Sequence, residues 1–164
     1  MKRFFTQRLA RKKAKKRTPI LKSPDMVSSL LFISNDNPVH FREEIQRNFR
    51  HAKISFLHPR KDKLSEAPQG FYDYHQADFN LTGKIKNDKL TELLNTSFDL
   101  VIDLSDRNPL GDYLYSQLQY DFSVGCSNTE HDEKHDLIIR GNTDELACIK
   151  AANTQLTLLS QNGK

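Results

Sequence analysis

The chain has no tryptophan, only two cysteines, and no apolar run long enough to cross a bilayer. Each shortage excludes something. A spanning helix needs about 20 predominantly apolar residues, and the longest apolar stretches here have the length of a strand, as in Leu30-Leu31-Phe32-Ile33. A secretory signal places an apolar stretch of roughly 7–15 residues behind its positive start. Here basic residues continue to Arg17, and Thr18-Pro19 follow. Cys126 and Cys148 make neither a disulfide framework nor a CxxC pair, so a reduced compartment and a cytoplasmic location are expected. A mitochondrial presequence is also acid-poor and Arg-rich, but this start is Lys-heavy and offers one hydroxyl, Thr6, before Thr18. Neither GxGxxG nor a GxxxxGK phosphate loop occurs, so no cofactor is expected and a nucleotide is not favoured.

Acid is missing from one region altogether. Residues 1–22 hold ten basic side chains (Lys2, Arg3, Arg8, Arg11, Lys12, Lys13, Lys15, Lys16, Arg17 and Lys22) and no Asp or Glu. The rest of the chain holds 15 bases against 21 acids, a net of −6 concealed by the overall +4. At 164 residues there is room for one ordinary domain and a remainder. The division expected is a basic arm and linker over 1–24 and a folded body over 25–164. Met1, Phe4, Phe5 and Leu9 fall within an arc of roughly 140° at helical spacing, and Ala10 and Ala14 favour helix. Pro19 and Pro24 mark the linker.

The body alternates strand and helix patterns. Val27–Ser34 reads as a buried strand, and Asn37-Pro38 as the cap and first residue of a helix over Val39–Arg50, striped by Phe41, Ile45 and Phe49. Ala52–Leu57 is a second strand, 58–73 a long polar loop, and Tyr74–Phe79 a weaker third strand. Asp88–Asn95 is a short helix and Phe98–Leu104 the clearest strand. Asn108-Pro109 opens a helix striped by Leu110, Leu114 and Leu118. Asp121–Val124, closed by Gly125, and Asp136–Arg140, ended by Gly141, are the last strands. Asn142 and Glu145 form a capping box for a final helix that buries Leu146, Ile149, Ala152, Leu156 and Leu159. Such alternation implies parallel pairing with right-handed crossovers. The expected fold is a Rossmann-like three-layer α/β domain with a mostly parallel sheet in strand order 3-2-1-4-5-6, preceded by a basic N-terminal helix.

Residues 76–160 carry a resemblance. Thr82–Lys86, Phe98–Leu104, Phe122–Gly125 and Asp136–Ile139 resemble the shared segments of a family of small Bacteroidota proteins of unknown function. With the arm and first strand included, the resemblance covers most of the chain, and it implies no activity. More faintly, FDLVIDL, a helix and FSVG are similar to a segment in the N-terminal half of heptosyltransferase-like glycosyltransferases. That resemblance implies topology, because the donor-binding half has no counterpart in a chain of this length.

Ligands in open α/β sheets bind beyond the C-terminal strand ends where strand order reverses. The residues expected there are Asn35, Asp36, Asp103, Ser105 and Asp106. Their carboxylates suit a hard cation or acid–base work, and a small-molecule ligand of unknown type is the corresponding partner. The plainer reading is acidic residues favouring helix starts. Cys126, His131 and His135 have spacing that would supply three zinc ligands only in a helical segment. In a polar loop they read as solvated side chains, and no metal is expected. Cys148 reads as a small core residue, and no catalytic set emerges.

The arm remains the strongest signal. Its bases Lys2, Arg3, Arg8, Arg11, Lys12, Lys13, Lys15, Lys16 and Arg17 suit a polyanion. Neutralising phosphates releases counterions and makes RNA or ribosome binding salt-dependent. An anionic membrane is the alternative, with Phe4, Phe5 and Leu9 inserted at the inner membrane surface. A solvated tail, or one docked on the acidic body, is the third reading. The function expected is a non-enzymatic protein whose arm contacts an anionic surface, RNA first.

Overall fold

The computed structural model describes residues 17–35, 37–61, 68–106, 108–126, 134–141 and 144–162. The expected arm helix, Asp36, His131 and Asn142 lie outside the described residues. Six strands form one sheet, β1 (Ser29–Ile33), β2 (Lys53–Pro59), β3 (Phe71–Tyr74), β4 (Ser97–Asp103), β5 (Gln119–Cys126) and β6 (Leu137–Ile139). Their order is β3-β2-β1-β4-β5-β6 and every pairing is parallel. This is the expected Rossmann-like order, with β1 and β4 adjacent where the order reverses. Four helices accompany it among the described residues, α1 (Arg42–Asn48), α2 (Asp88–Asn95), α3 (Pro109–Gln117) and α4 (Glu145–Asn162).

Alternation along each strand divides the core into two layers. Leu30 and Phe32 of β1 join Leu100, Ile102 and Val124 on the side covered by Ile45 and Phe49 of the α1 region and Ile149, Ala152 and Leu156 of α4. Leu31 and Ile33 join Val101 on the side covered by Leu90 and Leu93 of α2 and Leu114 and Tyr115 of α3. A purely parallel sheet needs both faces covered, and the periodic Leu and Ile of the helices supply the covers.

Local differences from expectation have local causes. The third strand lies earlier than expected, at Phe71–Tyr74, and shares only Tyr74 with the expected Tyr74–Phe79. Gly70, with φ 84°, turns the chain into it, and Phe71 stacks on Phe56 at 4.7 Å. Asp73 looks like a loop residue, but its charge is buried against Arg60, Nη1 to Oδ1 2.8 Å. His75 then ends the strand, because its Nδ1 accepts from the Ala77 N–H while Asp78 accepts from the His75 N–H. The second helix pattern opens with a 3-10 turn over Pro38–Phe41, capped by Asn37, before α1 begins. In α4 the cap is Asp144, whose carboxylate accepts from the Leu146 N–H at 3.1 Å. Leu146 and Leu159 stand outside the buried stripe, at 39% and 40% exposure. Gly125 does not close a strand; it lies inside β5, paired with Asp103 and Ile138, whereas Gly141 has the turn conformation expected of it, φ 84°.

Candidate functional site at the two ends of the central strand

Parallel register places Ile33, Asp103 and Gly125 side by side at the C-terminal end of the sheet. Four of the five expected cleft residues meet there in two pairs. The Asn35 amide donates to Asp106 Oδ2 at 3.0 Å, and the Asp106 N–H donates to Asn35 Oδ1 at 2.9 Å. The Ser105 N–H and Oγ–H both donate to Asp103 Oδ1, at 2.9 and 2.6 Å. Asp36 is the fifth.

Asp103 is 3% exposed and has a further neighbour that periodicity did not indicate. His135 Nε2 lies 3.6 Å from Asp103 Oδ2, and the His135 Nδ1 lies 3.1 Å from the Tyr115 hydroxyl. The His135 and Tyr115 rings meet edge to face at 5.5 Å. A Cβ on Gly125 would come within 2.2 Å of His135 Cδ2, so the strand carries glycine where the imidazole lies against it. The expectation of a solvated loop at His135 is therefore corrected: its side chain is buried. The available signal was Gly125 itself, since glycine within a strand often marks close approach by another group.

Two phenols complete the surroundings. Burial holds Tyr115 well above its ordinary pKa, with the Tyr120 and Asp103 charges acting in the same direction. Burial pushes Tyr74 up to about 12, despite its hydrogen bond with Asn108, and the Asp103 and Asp112 charges add to the rise. Both stay protonated at neutral pH. The cluster is thus a carboxylate, an imidazole and the neutral Tyr115 phenol in contact, with the Tyr74 phenol close enough to feel the Asp103 charge. It lacks the order of a nucleophilic triad, in which histidine stands between serine and aspartate. The single Ser105 Oγ proton is committed to Asp103 directly. Among the described residues no group of three His, Cys, Asp or Glu is arranged to hold a metal ion. Of the Cys126-His131-His135 set, Cys126 is bonded to Cys148 and His131 lies outside the described residues.

At the opposite end of β4, Asp99 receives the linker. Its Oδ2 accepts from the Ser28 N–H at 2.7 Å, the Ser28 hydroxyl at 2.6 Å and the Ser29 N–H at 3.1 Å, and its Oδ1 pairs with Lys22. Burial acts to raise the Asp99 pKa, but Lys22 and the serine donors outweigh it and hold the carboxyl well below the usual range. Lys22 also reaches Asp121 Oδ2 at 3.3 Å. Arg17 places its guanidinium 4.1 Å over the Tyr120 ring, donates from Nη1 to the Asp121 carbonyl at 2.6 Å, and pairs with Asp136. Asp136 in turn accepts from the Ser123 N–H at 2.8 Å. The Ile20 N–H donates to the same Asp121 carbonyl at 3.0 Å. Residues 17–22 are thus fastened to the edge of β5 ahead of its pairing with β6. Arg17, read from the sequence as part of the anion-binding set, is engaged by the body.

These features define a Rossmann-like α/β domain with a tethered basic linker at one sheet end and a polar cluster at the other. The chain belongs to DUF6913, a family of unknown function whose sequence model matches residues 2–155, arm and body together. No curated protein and no solved structure matches it. Among the described residues no helix is long and apolar enough to cross a membrane.

Proposed function

We propose that this protein is a non-enzymatic RNA-binding protein whose arm grips the phosphate backbone and whose α/β body anchors the arm. The observation that carries the reading is the distribution of charge. Arg17 and Lys22 pair with the body's Asp136, Asp99 and Asp121. The remaining eight bases of the block all fall within residues 1–16, where there is no acid. Aromatic residues do not recur after Phe5 within the basic block, which favours backbone contact over base stacking and sequence readout.

Filter retention of bulk RNA tests the reading. The full chain is compared with one in which Lys2, Arg3, Arg8, Arg11, Lys12, Lys13, Lys15 and Lys16 are replaced by Gln. Retention by the first and loss in the second is expected. Equal retention by both refutes the proposal. Flotation of the full chain with anionic vesicles, abolished by substituting Phe4 and Phe5, together with no RNA retention, would assign the arm to a membrane surface instead.

A further inference from the structure

The two cysteines form a bond whose surroundings differ sharply at its two sulfurs. Cys126 ends β5 and is half-buried, whereas Cys148, on the first turn of α4, is 1% exposed among Ile149, Ala152 and Val124. Their Cα atoms are 6.3 Å apart and 22 residues separate them in sequence. The span they close contains β6, a three-residue edge strand paired to β5 at Leu137, Ile138 and Ile139. It also contains His135, which lies against Gly125, the residue next to Cys126.

We propose that Cys126 and Cys148 form a site of reversible thiol–disulfide exchange, with dithiols as the reacting class, and that the bond sets how firmly β6 and the first turns of α4 are held to β5. This goes beyond RNA binding and does not depend on it. A thiolate of the dithiol attacks Cys126 Sγ, the sulfur of the less buried cysteine. The Cys126–Cys148 bond breaks, and Cys148 Sγ leaves with the electron pair and takes up a proton. The second thiol then attacks the reductant's own sulfur in the mixed disulfide. This closes the reductant's disulfide and releases Cys126 as a thiol. Two electrons and two protons have moved from the dithiol to the cysteine pair, and the reverse sequence restores the bond. A thiolate leaving into an apolar core is disfavoured, so exchange is slower than at an exposed disulfide. The reduced fold survives because a thiol at Cys148 remains a small core side chain. The edge loosens because the cross-link no longer restrains the chain between the two cysteines.

The test equilibrates the full chain in defined ratios of reduced and oxidised dithiothreitol. Thiols are counted by alkylation and mass, and amide exchange is followed in both states. The expected result is reversible interconversion without global unfolding. Protection at Leu137–Ile139 and in the first turns of α4 falls on the order of 100-fold on reduction, and protection in β1 and β4 is unchanged. Cys126→Ser and Cys148→Ala should each reproduce the reduced pattern. Two free thiols under oxidising conditions, reduction only with unfolding of the whole chain, or reduction without a local change in protection would each overturn the proposal.

Discussion

Asp99 and Asp103 stand four residues apart on β4, at opposite ends of the same strand. Asp99 faces the linker, and its charge is used: two serines and Lys22 donate to it, and it stays ionised far into the acid range. Asp103 is buried beside Ser105 and His135, near the Tyr74 and Tyr115 phenols. The first arrangement is partly solvated and holds a segment in place. The second is buried, and its cost is recovered only while its groups remain paired. The difference teaches that the described polar residues where strand order reverses, Asn35, Asp103, Ser105 and Asp106, are engaged here with one another. The densest block of positive charge in the sequence lies elsewhere, in residues 1–16.

The largest expected effect is at the buried end. Asp103→Ala strips the acceptor from Ser105 and the carboxylate neighbour from His135, and should lower stability by about 3 kcal/mol, at roughly 1–3 kcal/mol per unsatisfied buried group. A urea midpoint lowered at constant slope reads this, and a change near zero would break the contrast with Asp99. Next comes Gly125→Ala, which drives a methyl group into the His135 ring and should cost roughly 1–3 kcal/mol. The same substitution in a His135→Ala background should cost much less, and a double-mutant cycle measures that coupling.

At the solvated end, Asp99→Asn should cost about 1 kcal/mol at pH 7, in the ordinary range for lost hydrogen bonds. Its pH dependence has a definite sign. The folded-state pKa of Asp99 is depressed, so the stability it adds is fully present above the unfolded value of about 3.9 and is lost as pH falls below that toward the folded value. The gap between wild type and Asp99→Asn should therefore be constant above about pH 5 and close in acid. A gap that widens on acidification would contradict the assignment. Arg17→Ala is expected to have the smallest effect, about 0.5–1 kcal/mol and weaker at high salt, as for a solvent-accessible pair.

The frame of the fold was readable because alternation of pattern is repeated and redundant. Val27–Ser34 and Phe98–Leu104 are apolar enough to be central strands, and the Asn37-Pro38 and Asn108-Pro109 openings mark the helices that follow. Short elements were harder. β3 was obscured because its Asp73 is buried by a partner, Arg60, that lies 13 residues away in sequence. At the cluster, Asp103 and Ser105 followed from topology, but His135 did not. Its burial depends on β6 pairing next to β5, a tertiary fact with Gly125 as its only local trace. The disulfide escaped for the same reason, since two cysteines without a motif reveal nothing of the strand end and helix turn that bring them together. At the linker, the charge block was evident. Which of its members the body engages depends on where Asp99, Asp121 and Asp136 lie in space.

The central claim is that the eight bases of residues 1–16, and not the strand-end cluster, make the functional contact. The salt dependence of RNA binding tests it most directly. If all eight neutralise phosphates on single-stranded RNA, the logarithm of the binding constant should fall with the logarithm of salt at a slope of about −5 to −6. Arg17→Ala should leave that slope unchanged. A slope near zero, or a steep slope that persists when the eight bases are replaced by Gln, would contradict the account.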